Sequence, residues 1–248
     1  MEGGEPAVPG QFPSTVYFKP KNMGNCTGTV IGQFTILLAA HCLVSDEMVF
    51  DGKKQNLRHK KVYIGDLVEI SAGTNINNFR NYDRHITSIS IHPSWTKRAA
   101  ELLKEQDLNR GSMPLIDAEG PDVAIVTVDR PLNLPIAELD FTPQRRYQPV
   151  VIAGFGRLGL ESGNWDKQLN HATVSIETFR TEFCSVGPVT VGTNALAKLL
   201  PGDSGGAVYN AATNKIVGVT SFGNFVKGNA WIQRLDTVRD WLEPLISQ

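Results

Sequence analysis

Apolar and polar positions alternate along this chain over short stretches, with turn-forming residues between them. Runs rich in Val, Ile, Thr and aromatic side chains fall at residues 14–18, 28–38, 61–64, 67–70, 85–91, 123–128, 150–153, 172–176, 207–209, 216–220 and 231–235. Most are bounded by Gly, Pro, Asn or Asp, which turn or break a strand. A period of two places alternate side chains on one face, and wholly apolar runs suit strands buried on both faces. Strands this short and this numerous predict antiparallel β-structure, as barrels or a sandwich. Helical spacing is confined to two places. Residues 96–106 are good helix formers with Ala99, Leu102 and Leu103 on one side. Residues 236–246 open on Asp236, suited to a helix N-cap, and align Val238, Trp241, Leu242 and Leu245. That last helix is expected to dock on the body and seal one end.

The stretch 129–149 holds four prolines, Pro131, Pro135, Pro143 and Pro149, and reads as an extended connection. It divides the strands into two sets of similar size, which two barrels in tandem would explain. The 248 residues suit one large domain or two small ones sharing an interface. With 41% hydrophobic residues the chain can build a core, and disorder is excluded. A net charge of -1 supplies no bulk field for holding nucleic acid or an anionic membrane, so neither is expected as a partner. The longest apolar run, 34–42, is interrupted by Thr35 and contains His41, well short of the ~20 residues of a membrane span.

Residues 1–6 have neither the basic nor the apolar region of a signal peptide. Either the protein stays where it is made or a leader is missing from this chain. The three cysteines, Cys26, Cys42 and Cys184, allow at most one internal pair. Joining Cys26 to Cys42 would close a loop worth roughly 3 kcal/mol; three free thiols fit the spacing equally well.

Three short segments carry chemistry. Gly202-Asp203-Ser204-Gly205-Gly206 sets a serine among glycines, which permits a tight turn with an exposed hydroxyl and outward N–H groups. Acyl transfer needs both, a nucleophile and donors for the oxyanion. Ala39-Ala40-His41-Cys42 ends an apolar strand with a histidine among small residues. Pro121-Asp122-Val123-Ala124-Ile125 places an acid at the mouth of a buried strand. Singly, each reads as a hairpin, a core histidine or a turn residue. Together they form a serine, a histidine and an acid.

With these segments in the order His, Asp, Ser, the sequence resembles the trypsin/chymotrypsin family of serine proteases. Gly3-Gly4, the Cys26/Cys42 spacing, Ile91-His92-Pro93, Gly154-Phe155-Gly156 and Thr220-Ser221-Phe222-Gly223 extend the resemblance in family order over the whole chain. It implies an all-β fold of two antiparallel six-stranded barrels side by side with a C-terminal helix. Residues 1–133 would form mainly the N-terminal barrel, carrying His41 and Asp122; residues 134–248 would form the second, carrying Ser204, and the helix. The resemblance makes Ser204 the nucleophile, His41 the general base and then acid, and Asp122 the group that orients His41. The N–H groups of Gly202 and Ser204 would form the oxyanion hole. Ser221, Phe222 and Gly223 would pair with extended substrate, with Lys198, Leu199 and Ala230 also at the substrate site. Cys26 and Cys42 would form a disulfide. Met1 would stand at the position of the amino terminus that zymogen processing creates, its ammonium reaching Asp203.

The chain also departs from the family. Where trypsin-like enzymes place an Asp six residues before the nucleophile, Lys198 stands, so cleavage after Arg or Lys is not expected. Lys198 facing the pocket would favour an acidic or polar P1 residue; Lys198 turned to solvent would leave an apolar pocket at Leu199. Cys184 lacks the later cysteine that often pairs with it and is expected to be a free, partly buried thiol. Such sparse bridging suits a divergent member, bacterial or otherwise. The 26 residues between Trp95 and Asp122 would enlarge a loop bordering the substrate subsites. The basic run Lys53, Lys54, Arg58, Lys60 and Lys61 reads as a solvated loop face.

The expected function is therefore that of a secreted or periplasmic serine endopeptidase, monomeric, acting on proteins or peptides. Proteinaceous inhibitors could block it, and it would need no cofactor or metal. An inactive or latent homologue acting as a binding protein is the alternative.

Overall fold

Thr-, Val- and Ile-rich runs become strands because their branched side chains pack well on a pleated, half-buried surface. The computed structural model describes residues 1–20, 24–51, 54–61, 67–95, 120–158, 167–179, 183–188, 197–223 and 230–246. In chain order β1 (Glu5–Pro6), β2 (Thr15–Pro20), β3 (Cys26–Gly32), β4 (Thr35–Leu38), β5 (Val44–Asp51), β6 (Lys54–Lys61), β7 (Leu67–Ala72), β8 (Arg80–Asn81), β9 (Arg84–Ile91) and β10 (Ala124–Val128) come first. They are followed by β11 (Pro149–Gly154), β12 (Asn170–Phe179), β13 (Phe183–Pro188), β14 (Ala207–Asn210), β15 (Ile216–Gly223), β16 (Ala230–Arg234) and helix α1 (Arg239–Ile246).

Two sheets close on themselves. The first runs β2-β3-β4-β10-β9-β7 and returns to β2, with β8 added on β7. The second runs β12-β11-β14-β15-β16-β13 and returns to β12, where β1 also attaches. Each is a six-stranded antiparallel barrel, as expected. Among the described residues, closure leaves neither barrel a long open edge for pairing with another chain. The segment 129–148 links them: Leu132 and Ala137 N–H groups donate to Gln33 and Val30 of the first barrel, and Asp140 N–H donates to Ile216 of the second.

The buried faces explain the closure. Phe18, Val30, Ile36, Ile70, Ile86 and Val126 fill the first barrel. Val150, Ile152, Val174, Ile176, Val186 and Ile232 fill the second. Burying each such side chain contributes about 1.5–3 kcal/mol. Thr15 and Tyr209 hydroxyls meet at 2.9 Å across the barrels, and Phe155 packs edge-on to Tyr17 and Phe79. Helix α1 buries Leu242 and sets Trp241 against His92 of the N-terminal half.

Some elements differ from the sequence pattern. The single apolar run 28–38 is a hairpin, because the chain turns at Gln33 and Phe34 and pairs Val30 with Ile36. The β5–β6 hairpin crosses part of the basic run, where charge masks the strand pattern. Strand β13 contains Gly187 and Pro188 and gives no alternating signal. The C-terminal helix starts at Arg239 after turns at 235–238. The expected helix at 96–106, Lys53 and the strand residues 62–64 lie outside the described residues. Among the described residues no helix is long and apolar enough to cross a membrane.

Candidate active site

Strands β4 and β10 are antiparallel neighbours, with Leu38 opposite Ala124. The residues just after β4 and just before β10 therefore share one end of the first barrel. His41 lies in a 3₁₀ turn (Ala40–Leu43) after β4, and Asp122 stands two residues before β10. The small, buried Ala39 and Ala40 allow this turn, and the Cys26–Cys42 disulfide ties it to β3.

The two side chains bond directly. His41 Nδ1 lies 2.7 Å from Asp122 Oδ2, and the His41 backbone N–H donates to Asp122 Oδ1 at 3.0 Å. The Ser221 hydroxyl, on β15 of the second barrel, donates to Asp122 Oδ2 at 2.5 Å. The Asp122 N–H donates to Oε1 of Gln233 on β16, at 2.9 Å. Asp122 is buried, whereas the His41 side chain is 32% exposed.

Burial alone would lift the Asp122 carboxyl, but the His41 charge and the hydrogen bonds from His41 and Ser221 hold it below the usual carboxylate range. Burial would lower the imidazole of His41; the Asp122 charge and hydrogen bond outweigh this and raise it above 6.5. Its contribution to stability is then complete below pH 6.5 and is lost as pH rises through the raised value. We expect an NMR titration of the His41 ring to show a midpoint above 6.5. A midpoint at or below that value would contradict the pairing.

Ser204 comes from the second barrel, in the turn preceding β14. Its hydroxyl lies 3.4 Å from the Ser221 carbonyl, as a donor. Among the described residues, no hydrogen bond joins it to His41, and the N–H groups of Gly202 and Ser204 have no protein acceptor. Asp203 points the other way, fully buried. Its carboxylate accepts Gly156 N–H at 2.8 Å and Leu200 N–H at 2.9 Å, and lies 3.2 Å from the Met1 ammonium. That ammonium also donates to the Gly156 and Arg157 carbonyls at 2.9 and 2.8 Å. A Cβ on Gly154 or Gly156 would come within 2.4 or 2.2 Å of the Asp203 carboxylate, so only glycine fits. Burial pushes the Asp203 carboxyl up, opposed by the ammonium and the two N–H donors.

Lys198 pairs with the opening residues. Glu2 and Lys198 exchange backbone hydrogen bonds of 3.0 and 2.8 Å, and Lys198 Nζ lies 3.7 Å from Glu2 Oε1. Leu199 and Ala230 are buried beside Met1 and, together with Lys198, Ile152, Val174 and Val186, line a small, mostly apolar cavity. Phe222 is half-buried near Trp231, and Gly223 ends β15. Cys184 is a buried free thiol, pushed up to about 12 by burial. The Cys26, Cys42 and His41 ligand-type atoms lie within 4.8 Å of one another, but the two sulfurs are bonded to each other, which leaves one imidazole and no metal-binding set in that cluster.

Gln233 and Glu2 do not stand out in the sequence motifs that mark the site. A glutamine in the apolar run 231–235 was a signal for the first, since a buried amide needs a partner. The partner of Lys198 had no local signal.

The geometry therefore sets His41 on a buried carboxylate in one barrel, with a serine and two unspent N–H groups in the other. The sequence matches the Trypsin family over residues 1–242. The chain belongs to the trypsin family. It is 24% identical over 238 residues to alkaline C trypsin of Manduca sexta, covering 89% of this chain and 80% of that protein. Among solved structures it resembles neuropsin, a serine protease expressed in the limbic system of mouse brain (TM-score 0.69, 16% identity, 99% of this chain and 100% of that one). A mutant of human heparin binding protein matches at TM-score 0.69 and 20% identity, and the scabies mite inactivated protease paralogue S-D1 at 0.71 and 15%. Both matches cover 100% of this chain and 97% of the other. These structural likenesses concern the fold. Within the trypsin family, protein substrates are the expected partners, and the disulfide fits secretion.

Proposed function

We propose that this trypsin-family chain is a serine endopeptidase working through Ser204, His41 and Asp122. The observation that carries the reading is the bonding of His41 and Ser221 to one buried Asp122 carboxylate, beside a serine whose loop offers two free N–H groups. Residues 1–133 supply mainly the barrel bearing His41 and Asp122, and 134–248 the barrel bearing Ser204, so chemistry occurs where the two meet.

In this scheme Ser204 Oγ attacks the scissile carbonyl and passes its proton to His41 Nε2. Asp122 keeps the other proton on Nδ1 and stabilises the imidazolium. The Gly202 and Ser204 N–H groups receive the oxyanion, an interaction worth ~3–4 kcal/mol per donor. His41 then protonates the leaving amine, and water releases the acyl group by the same steps. Ser221, Phe222 and Gly223 pair with extended substrate as an added strand. The Met1–Asp203 ion pair holds the loop in shape, since an unpaired buried carboxylate would cost several kcal/mol. The enzyme acts outside the cell or in the periplasm as a monomer, open to proteinaceous inhibitors that mimic substrate.

The Lys198 ammonium is directed at Glu2, which favours an apolar P1 preference over an acidic one. A peptide library should be cut after Leu- or Phe-type residues at least about tenfold faster than after Arg, a difference of ~1.4 kcal/mol. Lys198→Met should leave that preference unchanged. Loss of cleavage after Glu in that variant would place the ammonium in the pocket instead.

The alternative, a protease-like binding protein, has one observation in its favour: the Ser204 hydroxyl faces Ser221 rather than His41. Catalytic hydrogen bonds often tighten only when substrate binds, so the endopeptidase reading stands ahead. Library peptides left uncut by the wild-type protein would reverse that order.

A further inference from the structure

One side chain of the N-terminal barrel reaches into the Ser204 loop and has no part in the scheme above. Thr27, on β3, is fully buried. Its hydroxyl donates to the Gly202 carbonyl at 2.7 Å and accepts the Phe155 N–H at 2.9 Å. Its backbone N–H donates to the Ser204 carbonyl at 2.8 Å. A hydroxyl has one hydrogen, so donation to Gly202 fixes its rotor and leaves a lone pair for Phe155. One residue of the first barrel thus binds two segments of the second, the Gly202–Ser204 loop and Phe155 just after β11.

The consequence follows from peptide geometry. A trans peptide directs its C=O and N–H to opposite sides. Arg157 N–H holds the Pro201 carbonyl at 3.1 Å, which turns the Gly202 N–H of the same peptide the other way. Thr27 holds the next carbonyl, that of Gly202, and the Asp203 N–H on its far side donates to Leu200 at 3.0 Å. Gly202 is therefore clamped on both flanks, at φ +102°, a left-handed conformation that glycine adopts readily but also leaves readily. One peptide further, Gly206 N–H holds the Asp203 carbonyl at 3.0 Å and so turns the Ser204 N–H outward. Thr27 N–H then anchors the Ser204 carbonyl.

We infer that Thr27 is a positioning residue whose hydroxyl fixes the Gly202 backbone, so that the Gly202 and Ser204 N–H groups converge on one oxygen of the reacting carbonyl. This rests on the proposed role of Ser204 as nucleophile. Thr27 touches no reacting atom and acts through the loop alone. Replacing its hydroxyl by a methyl of the same shape leaves the Gly202 carbonyl and the Phe155 N–H unpaired and frees the peptide between the two flanking clamps.

The test is the rate of Ser204 phosphonylation by a fluorophosphonate probe. In that reaction Ser204 Oγ bonds to phosphorus, fluoride leaves, the serine proton passes to His41, and the phosphoryl oxygen takes up charge where the oxyanion would sit. The limiting rate and the half-saturating probe concentration are measured for wild type, Thr27→Val and Thr27→Ser. Thr27→Val should lower the limiting rate about tenfold or more while half-saturation moves less than about twofold. Thr27→Ser, which restores the hydroxyl, should stay within about threefold of wild type. A Val variant as fast as wild type, or a Ser variant no faster than Val, overturns the inference while leaving the nucleophile reading intact. Wild-type protein that takes no adduct overturns both. Should the Val variant fail to fold, a crystal structure of the wild-type adduct decides: the phosphoryl oxygen should accept both N–H groups with the Thr27–Gly202 bond kept. A Gly202 carbonyl turned away from Thr27 in that adduct would refute it.

Discussion

Ser204→Ala should abolish peptide hydrolysis while barely moving the thermal midpoint. The loss of rate follows from removing the only atom that can form the acyl-enzyme bond in the proposed scheme. The small effect on stability follows from what the hydroxyl does in the folded protein. Its one hydrogen bond among the described residues is a 3.4 Å approach to the Ser221 carbonyl, at the long limit for such a bond. Losing it should cost less than about 1 kcal/mol, or a few degrees at most for a chain of this size. The Cys26–Cys42 disulfide, Thr27 and the Asp203 carboxylate hold the surrounding loop without it. Hydrolysis that survives in the alanine variant would remove Ser204 from the mechanism.

Asp122→Asn should lower turnover by about 10⁴-fold with the fold intact. Oδ2 of Asp122 accepts from both His41 Nδ1 and Ser221, and Oδ1 accepts the His41 N–H. An amide has one acceptor oxygen and one NH₂ group. Keeping the oxygen on the His41 N–H presents the NH₂ to His41 Nδ1, which must then carry no hydrogen. The imidazole proton moves to Nε2, the nitrogen required to accept from Ser204. The ring would stay in place in the wrong tautomer. The same variant loses the charge that lifts His41, so its NMR titration midpoint should fall relative to wild type. A variant turning over within tenfold of wild type would mean that Asp122 does not set the tautomer.

The fold and the centre of the site were legible in the sequence for local reasons. Strands with Val, Ile and Thr at alternating or continuous positions announce themselves, and the Pro-rich stretch 129–149 marks the passage between barrels. His41, Asp122 and Ser204 each sit in a short motif whose small or apolar neighbours express the geometry required. What the sequence hid depends on partners distant along the chain. Lys198 had two readings until Glu2, at the opposite end, was found 3.7 Å from its ammonium. Thr27 reads as an ordinary β-branched strand residue, yet its hydroxyl crosses to the other barrel. Gln233 interrupts an apolar strand because the Asp122 N–H needs an acceptor there. The β5–β6 hairpin was obscured because its lysines and arginine break the apolar alternation that identifies a strand.

The central claim, that His41 and Asp122 activate Ser204 where the two barrels meet, is tested most directly by mapping a fluorophosphonate adduct by peptide mass spectrometry. The account predicts a single adduct on Ser204 in the folded wild-type protein, absent after thermal unfolding and slowed by orders of magnitude in His41→Ala. No adduct in the folded protein, or an adduct on Ser204 formed equally fast without His41, would contradict it.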